Sequence, residues 1–173
     1  MRRLDKSDPS LVTFMRVPTE IEDRFAQGAI CLGAFRGTDL IGWLWFVIGE
    51  FRDHTLPVGF RLEPAGKTAW DFDVYVHPEA RMSAAFARLW EAAFEALRER
   101  GVTQTLSAIS AYNPASLRAH RRLGATPFGS IVVVRLGQFQ AVWSRKFRPH
   151  LQWSRRLQFC ARVIIEAQPY TFP

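Results

Sequence analysis

A chain of 173 residues with 48% hydrophobic and 13% aromatic side chains has material for one packed core, which excludes a disordered chain and two full-sized domains. Its formal net charge of +7 favours an acidic or phosphorylated partner without choosing among phosphorylated cofactors, acidic carrier proteins, anionic lipids and nucleic acid. No apolar run reaches the ~20 residues of a spanning helix, and no hydrophobic stretch follows Met1-Arg2-Arg3. Neither the four histidines nor Cys31 and Cys160 show a metal-ligand spacing, so the expectation is a cytoplasmic protein with reduced thiols and no metal.

In chain order, residues 1–10 are polar and read as loose, and Leu11 to Val17 reads as a short strand. Pro18-Thr19-Glu20 opens a helix that ends at Gly28. Ala29–Phe35 and Leu40–Ile48 read as a hairpin around Arg36-Gly37-Thr38-Asp39. Pro57, Gly59, Pro64 and Gly66 mark residues 50–68 as loop or irregular edge. Trp70 to Val76 alternates, with Trp70, Phe72, Val74 and Val76 on one face and Asp71, Asp73 and Tyr75 on the other. Pro78 stops that strand. Ser83 to Arg100 then carries Phe86, Leu89, Trp90, Ala93, Phe94 and Leu97 at helical spacing and closes at Gly101. Val102–Ile109 is a strand, Asn113-Pro114 opens a helix that closes at Gly124, and Ile131–Val134 and Phe139–Trp143 flank a turn at Gly137. The order predicts a single α/β domain with one mixed, mostly antiparallel sheet flanked by helices. A βαβ unit over residues 70–109 supplies its parallel pair.

The connection from Val76 to Phe86 is the candidate site, because a strand feeding straight into a helix start leaves backbone N–H groups and the positive dipole end pointing outward, where an anion can sit. Arg81 stands at that mouth. An ordinary connection with a surface arginine is the other reading. Two motifs separate the readings. Val76, Pro78, Arg81, Ala84 and Leu89 stand where one family has a valine, a proline two residues on, an Arg or Gln, and a small-residue loop before a long amphipathic helix. Asn113, Ser116, His120 and Gly124 then follow the same family's asparagine, small residue, aromatic or His, and glycine. In this pair of motifs the sequence resembles the GNAT acetyltransferases, over roughly residues 29–144. Three loop positions depart from the pattern, with Met82, Ala84 and Phe86 where small residues or glycine are usual, and Ala125 replaces an aromatic. Phe86 either points into the core or fills the anion site.

The resemblance implies N-acyl transfer, most simply acetyl transfer, from acetyl-CoA or another acyl-CoA co-substrate to an amine of a small molecule. It implies that backbone groups of Val74 and Val76 hold pantetheine and polarise the thioester carbonyl. Amides of Arg81, Met82, Ser83, Ala84, Ala85 and Phe86 would hold the pyrophosphate, with Asn113 and Ser116 near the pantetheine arm. His120, whose free imidazole titrates near 6.5, is either the acid that protonates the leaving thiolate or a half-buried structural residue. Asp73 and Asp71 either accept the amine proton, orient a cationic amine, or are merely solvated, and Tyr75 is a third candidate. In the 50–68 segment, Phe51, Arg52, His54, Phe60 and Arg61 would line the acceptor pocket, the arginines suiting an acidic acceptor.

The GNAT-like domain is assigned residues 1–144 and the extension residues 145–173. In the extension, Arg145, Lys146, Arg148, Arg155, Arg156 and Arg162 interleave with Phe147, Leu151, Trp153, Leu157 and Phe159. This reads as a cationic amphipathic helix that either docks on an acyl carrier protein or an anionic membrane surface, or packs on the domain. A carrier-protein donor with a long acyl chain and a non-catalytic acyl-CoA-binding module are the alternatives to the acetyl-CoA reading. Nucleic acid is not expected, since no motif for it accompanies the charge, and a homodimer is compatible with the sequence.

Overall fold

The computed structural model describes residues 1–14, 18–53, 58–155 and 162–166. Within them the chain runs β1 (Arg2–Leu4), α1 (Pro9–Phe14), α2 (Pro18–Ala26), β2 (Ile30–Arg36), β3 (Asp39–Ile48), β4 (Glu50–Asp53), β5 (Val58–Glu63) and β6 (Thr68–Val76). It continues α3 (Ala85–Arg98), β7 (Gln104–Ser107), α4 (Pro114–Arg122), β8 (Val132–Leu136), β9 (Phe139–Trp143), β10 (Leu151–Arg155) and β11 (Arg162–Glu166). The main sheet has the order β1-β2-β3-β6-β7. Its pairs are antiparallel except β6–β7, the parallel pair expected of the βαβ unit.

Both faces of this sheet are covered, which is why β3 reads as an unbroken apolar run rather than an alternation. On one face Leu32, Ala34, Leu44, Phe46 and Ala69 meet the α3 residues Ala85, Leu89, Trp90, Ala93 and Leu97. On the other, Cys31, Trp43, Trp45 and Trp70 meet Leu11, Ile21, Phe51, Phe60 and Val142. Burial pushes the Cys31 thiol far up its titration range, so it packs as an inert apolar group. No helix among the described residues is long and apolar enough to cross a membrane.

Four expectations need correction. Residues 9–14 are helix, not strand, because Asp8 caps them: its Oδ1 accepts the Ser10 amide at 3.0 Å, and Pro9 needs no partner in the first turn. Residues 15–17 lie outside the described residues. The start of the chain is not loose, since Leu4 is fully buried and Arg2 pairs with Asp8. The 50–68 segment forms β4 and β5, with Val58, Phe60 and Leu62 buried, and Phe60 stacks on Trp70 at 4.3 Å. The extension is strand where it is described. Residues 151–155 alternate Leu, Gln, Trp, Ser, Arg and fill the open edge of β9, while β11 pairs in parallel with β5. Pro149 alone argues against a continuous helix there. Arg156, Leu157 and Phe159 lie outside the described residues.

The decisive irregularity is in β6. Tyr75 pairs with Trp43 and Phe72 with Trp45, so Leu44 faces two residues, Asp73 and Val74. This is a β-bulge, and Asp73 sits in it at φ 48°, a region that Asp tolerates better than most side chains. The extra residue inverts the phase of alternation. Before it, Trp70 and Phe72 face Trp45, Phe51 and Phe60; after it, Tyr75 takes that side and stacks on Trp43 at 4.5 Å. Val74 and Val76 move to the α3 side. The expected face shared by Asp71, Asp73 and Tyr75 therefore does not exist.

Candidate active site

The bulge also opens the sheet. Parallel pairing between β6 and β7 stops at Asp71–Ser107, and residues 72–76 have no strand beside them on the β7 side among the described residues. The result is a fork with its floor at Asp71. There the carboxyl is buried, Oδ1 accepts the Thr105 hydroxyl at 2.7 Å, and Oδ2 has no partner at hydrogen-bond geometry among the described residues. Burial pushes the Asp71 carboxyl above the usual carboxylate range, while the Ser107 and Thr105 hydroxyls and charge on His120 pull it back.

His120 comes to this floor from α4. Pro114 at the first turn and the Asn113 cap, whose Oδ1 accepts the Ser116 amide at 3.1 Å, set that helix. The imidazole is buried, and its Nδ1 donates to the Ser116 carbonyl at 2.8 Å; the Ser116 hydroxyl stands 3.4 Å from the same nitrogen. A carbonyl can only accept, so Nδ1 carries a proton and Nε2 is the nitrogen left to exchange one. Trp90 and Phe86 hold the ring edge-on at 5.6 and 6.3 Å. Trp90 Nε1, like Asp71 Oδ2, is buried without a partner among the described residues, and such groups are ordinarily met by water or a ligand.

Charge on His120 reaches the Asp71 carboxyl, and the other proton-transfer candidates are engaged elsewhere. Asp73 accepts Arg24 Nη1 at 2.5 Å, and that guanidinium also lies over the Trp45 and Phe72 rings at 5.2 and 5.3 Å. Tyr75 belongs to the aromatic face with Trp43. Asn113 is engaged as a helix cap, with Ser116 one turn from His120.

The connection into α3 is tighter than an open fan of amides. A 3-10 turn at Pro78–Ala80 leads into it. The Arg81 and Ser83 amides donate to Pro78 and Ala80, and the Ala85 amide donates to the Ser83 hydroxyl at 3.2 Å. Arg81 folds back, its Nε donating to the Val76 carbonyl at 3.1 Å. The Met82 and Ala84 amides have no protein acceptor among the described residues, and the Met82 side chain stands 99% exposed, clear of them. Phe86 turns toward Trp90 and His120 and so leaves the loop open. Beside the loop lies a cavity of about 340 Å³ between Ser83–Ala85 and the β2–β3 hairpin, with Arg36 and Arg88 in its wall. Unused amides at a helix start with two guanidinium groups close by fit a diphosphate.

The expected acceptor-pocket residues are placed differently. Phe51 and Phe60 are core, stacked on Phe72 and Trp70, and Arg61 donates to Glu63 at 3.0 Å. The Arg52 amide is held by Gln27 at 2.8 Å, and His54 lies outside the described residues. Sequence reasoning missed Arg24, Thr105, Arg36 and Arg88. Only Arg88 carried a local signal, as a cation in the first turn of a helix where acids are the usual choice.

Residues 2–125 match the family model described as the acetyltransferase (GNAT) family. Among solved structures, the chain resembles an aminoglycoside N-acetyltransferase, AAC(6')-Iy, in complex with CoA, at TM-score 0.60 and 16% identity, covering 79% of this chain and 98% of that one. A ribosomal-protein-alanine N-acetyltransferase from Brucella melitensis biovar Abortus 2308 follows at 0.57 and 17%, covering 79% and 97%. An aminoglycoside acetyltransferase from an uncultured soil metagenomic sample, in complex with sisomicin, gives 0.56 and 13%, covering 79% and 93%. No curated protein sequence matches significantly.

Proposed function

The chain belongs to the acetyltransferase (GNAT) family, and from that premise we propose that it moves an acetyl or related acyl group from coenzyme A to an amine of a small molecule, with both substrates bound together. One observation carries the reading: β6 parts from β7 just beyond Asp71, beside a helix start that keeps unused amides. Coenzyme A supplies an acyl group activated as a thioester. The free backbone edge of residues 72–76 lies along the fork, and its N–H groups orient pantetheine and polarise the carbonyl. The Met82 and Ala84 amides, with Arg88 and Arg36, hold the phosphates. The inward turn of Phe86 favours this donor over the carrier-protein and binding-module readings.

His120 holds a proton at Nε2 and passes it to the sulfur as the C–S bond breaks. Asp71 does not reach substrate in this account; it is a positioning residue whose charge steadies the cationic imidazole. The proton released by the attacking amine goes to water at the mouth of the fork. Chains of this fold that act on aminoglycosides support an amine on a small molecule.

The test is thiol release from acetyl-CoA in the presence of a panel of small polyamines, amino sugars and amino acids. Amine-dependent release, with the N-acetyl product seen by mass spectrometry, is expected. No turnover with acetyl-CoA or longer acyl-CoA thioesters would overturn the proposal.

A further inference from the structure

The β8–β9–β10 sheet has one face on the core and one in water. Val142, Val133 and the side chain of Gln140 turn inward. On the outward face the register sets Trp143 beside Leu151, Ala141 between Val134 and Trp153, and Leu136 opposite Phe139. These are large apolar side chains, and they are open: Leu136 is 80% exposed, Trp153 73%, Phe139 60% and Trp143 41%. Each strand has five residues, so they lie within a plane about 17 Å long. A contiguous exposed apolar face of this kind marks an interaction surface and calls for an occupant.

Charge identifies the occupant. Residues 100–165 hold eleven Lys and Arg and no Asp or Glu. Exposed Arg145 and Arg155 border the face, and the Arg145 guanidinium lies 5.8 Å from the Trp143 ring centroid. A second copy brought to this face would meet cations with cations. A flat array of tryptophan, phenylalanine and leucine edged by arginine instead matches the boundary between headgroups and acyl chains of a negatively charged bilayer.

We propose that the outer face of β8–β9–β10 is a peripheral docking surface for anionic lipid membranes. The aromatic and leucine side chains enter the headgroup boundary, and the arginines meet lipid phosphates. The site is independent of the acyl-transfer reading, since none of its residues lies at the fork.

The test is flotation of the full chain with phosphatidylcholine vesicles and with vesicles of phosphatidylcholine and phosphatidylglycerol at three to one. Binding to the mixed vesicles is expected at least tenfold above phosphatidylcholine alone, weakened several-fold by 0.5 M salt, with brominated lipid quenching tryptophan emission. Trp153→Ser with Phe139→Ser should lower binding at least tenfold and leave acetyl-CoA affinity unchanged. Trp153→Ser alone, at a position 73% exposed, serves if the double variant fails to fold. Absence of binding to the mixed vesicles, or binding indifferent to these substitutions, would overturn the proposal. So would sedimentation showing a dimer that the same substitutions dissociate, which would give the face to a second copy.

Discussion

Gly42 sits where β3 comes closest to the end of β6, paired with Val76. A Cβ added there would lie 2.7 Å from the Tyr75 carbonyl oxygen and 3.3 Å from Val76 Cα. The first contact is backbone, so no side-chain rotation relieves it, and the two strands must separate. Overpacking of this kind costs about 1–3 kcal/mol. At about 2–4 °C per kcal/mol for a chain of this size, Gly42→Ala should melt about 3–10 °C lower. Gly59, also in a strand, is the control, because its added Cβ meets no atom of the described residues within 4 Å. Gly59→Ala should stay within about 0.5 kcal/mol of the parent. Scanning calorimetry of the three proteins reads the difference. Equal melting of the two variants would show that β3 and β6 do not approach as described, and the bulge-and-fork geometry would lose its support.

Two further predictions concern the fork floor. Burial raises the folded-state pKa of Asp71 above its unfolded value, so the carboxyl is harmless when protonated in both states and costs stability as pH rises toward its folded pKa. Asp71→Asn should therefore melt higher than the parent at pH 8, with the gain shrinking toward pH 4; a variant less stable at pH 8 would show that the buried carboxylate is not destabilising. His120→Gln should keep affinity for acetyl-CoA and lower kcat about 100-fold or more. Unchanged kcat across pH would remove His120 from the proton path.

Local patterns made much of this fold legible. The apolar spacing of α3, the proline at the start of α4 and the hairpin glycine at 37 each act within one element. What escaped depends on partners distant in sequence. The bulge at Asp73 arises from pairing with β3 about thirty residues earlier, and it alone reassigns Tyr75 from one face to the other. Arg24 reaches Asp73 across 49 residues and Thr105 reaches Asp71 across 34. The extension misled because its cations and aromatics also fit a helical wheel, whereas a free edge on β9 supplied the hydrogen bonds that made it strand. At the site, the two motifs single out residues 76–86 and 113–124, which the structure forms as the connection into α3 and the capped α4. They could not reveal that Ser83 consumes one amide of the loop itself.

We place an acyl-CoA in the opening beside Asp71 and the start of α3. Isothermal titration with acetyl-CoA tests this placement directly, with Arg88→Ala as the paired variant. The account predicts saturable binding in the micromolar range and about tenfold weaker binding for the variant, in keeping with the loss of one charge-assisted phosphate contact. No heat and no thermal shift with acetyl-CoA or free coenzyme A would contradict it.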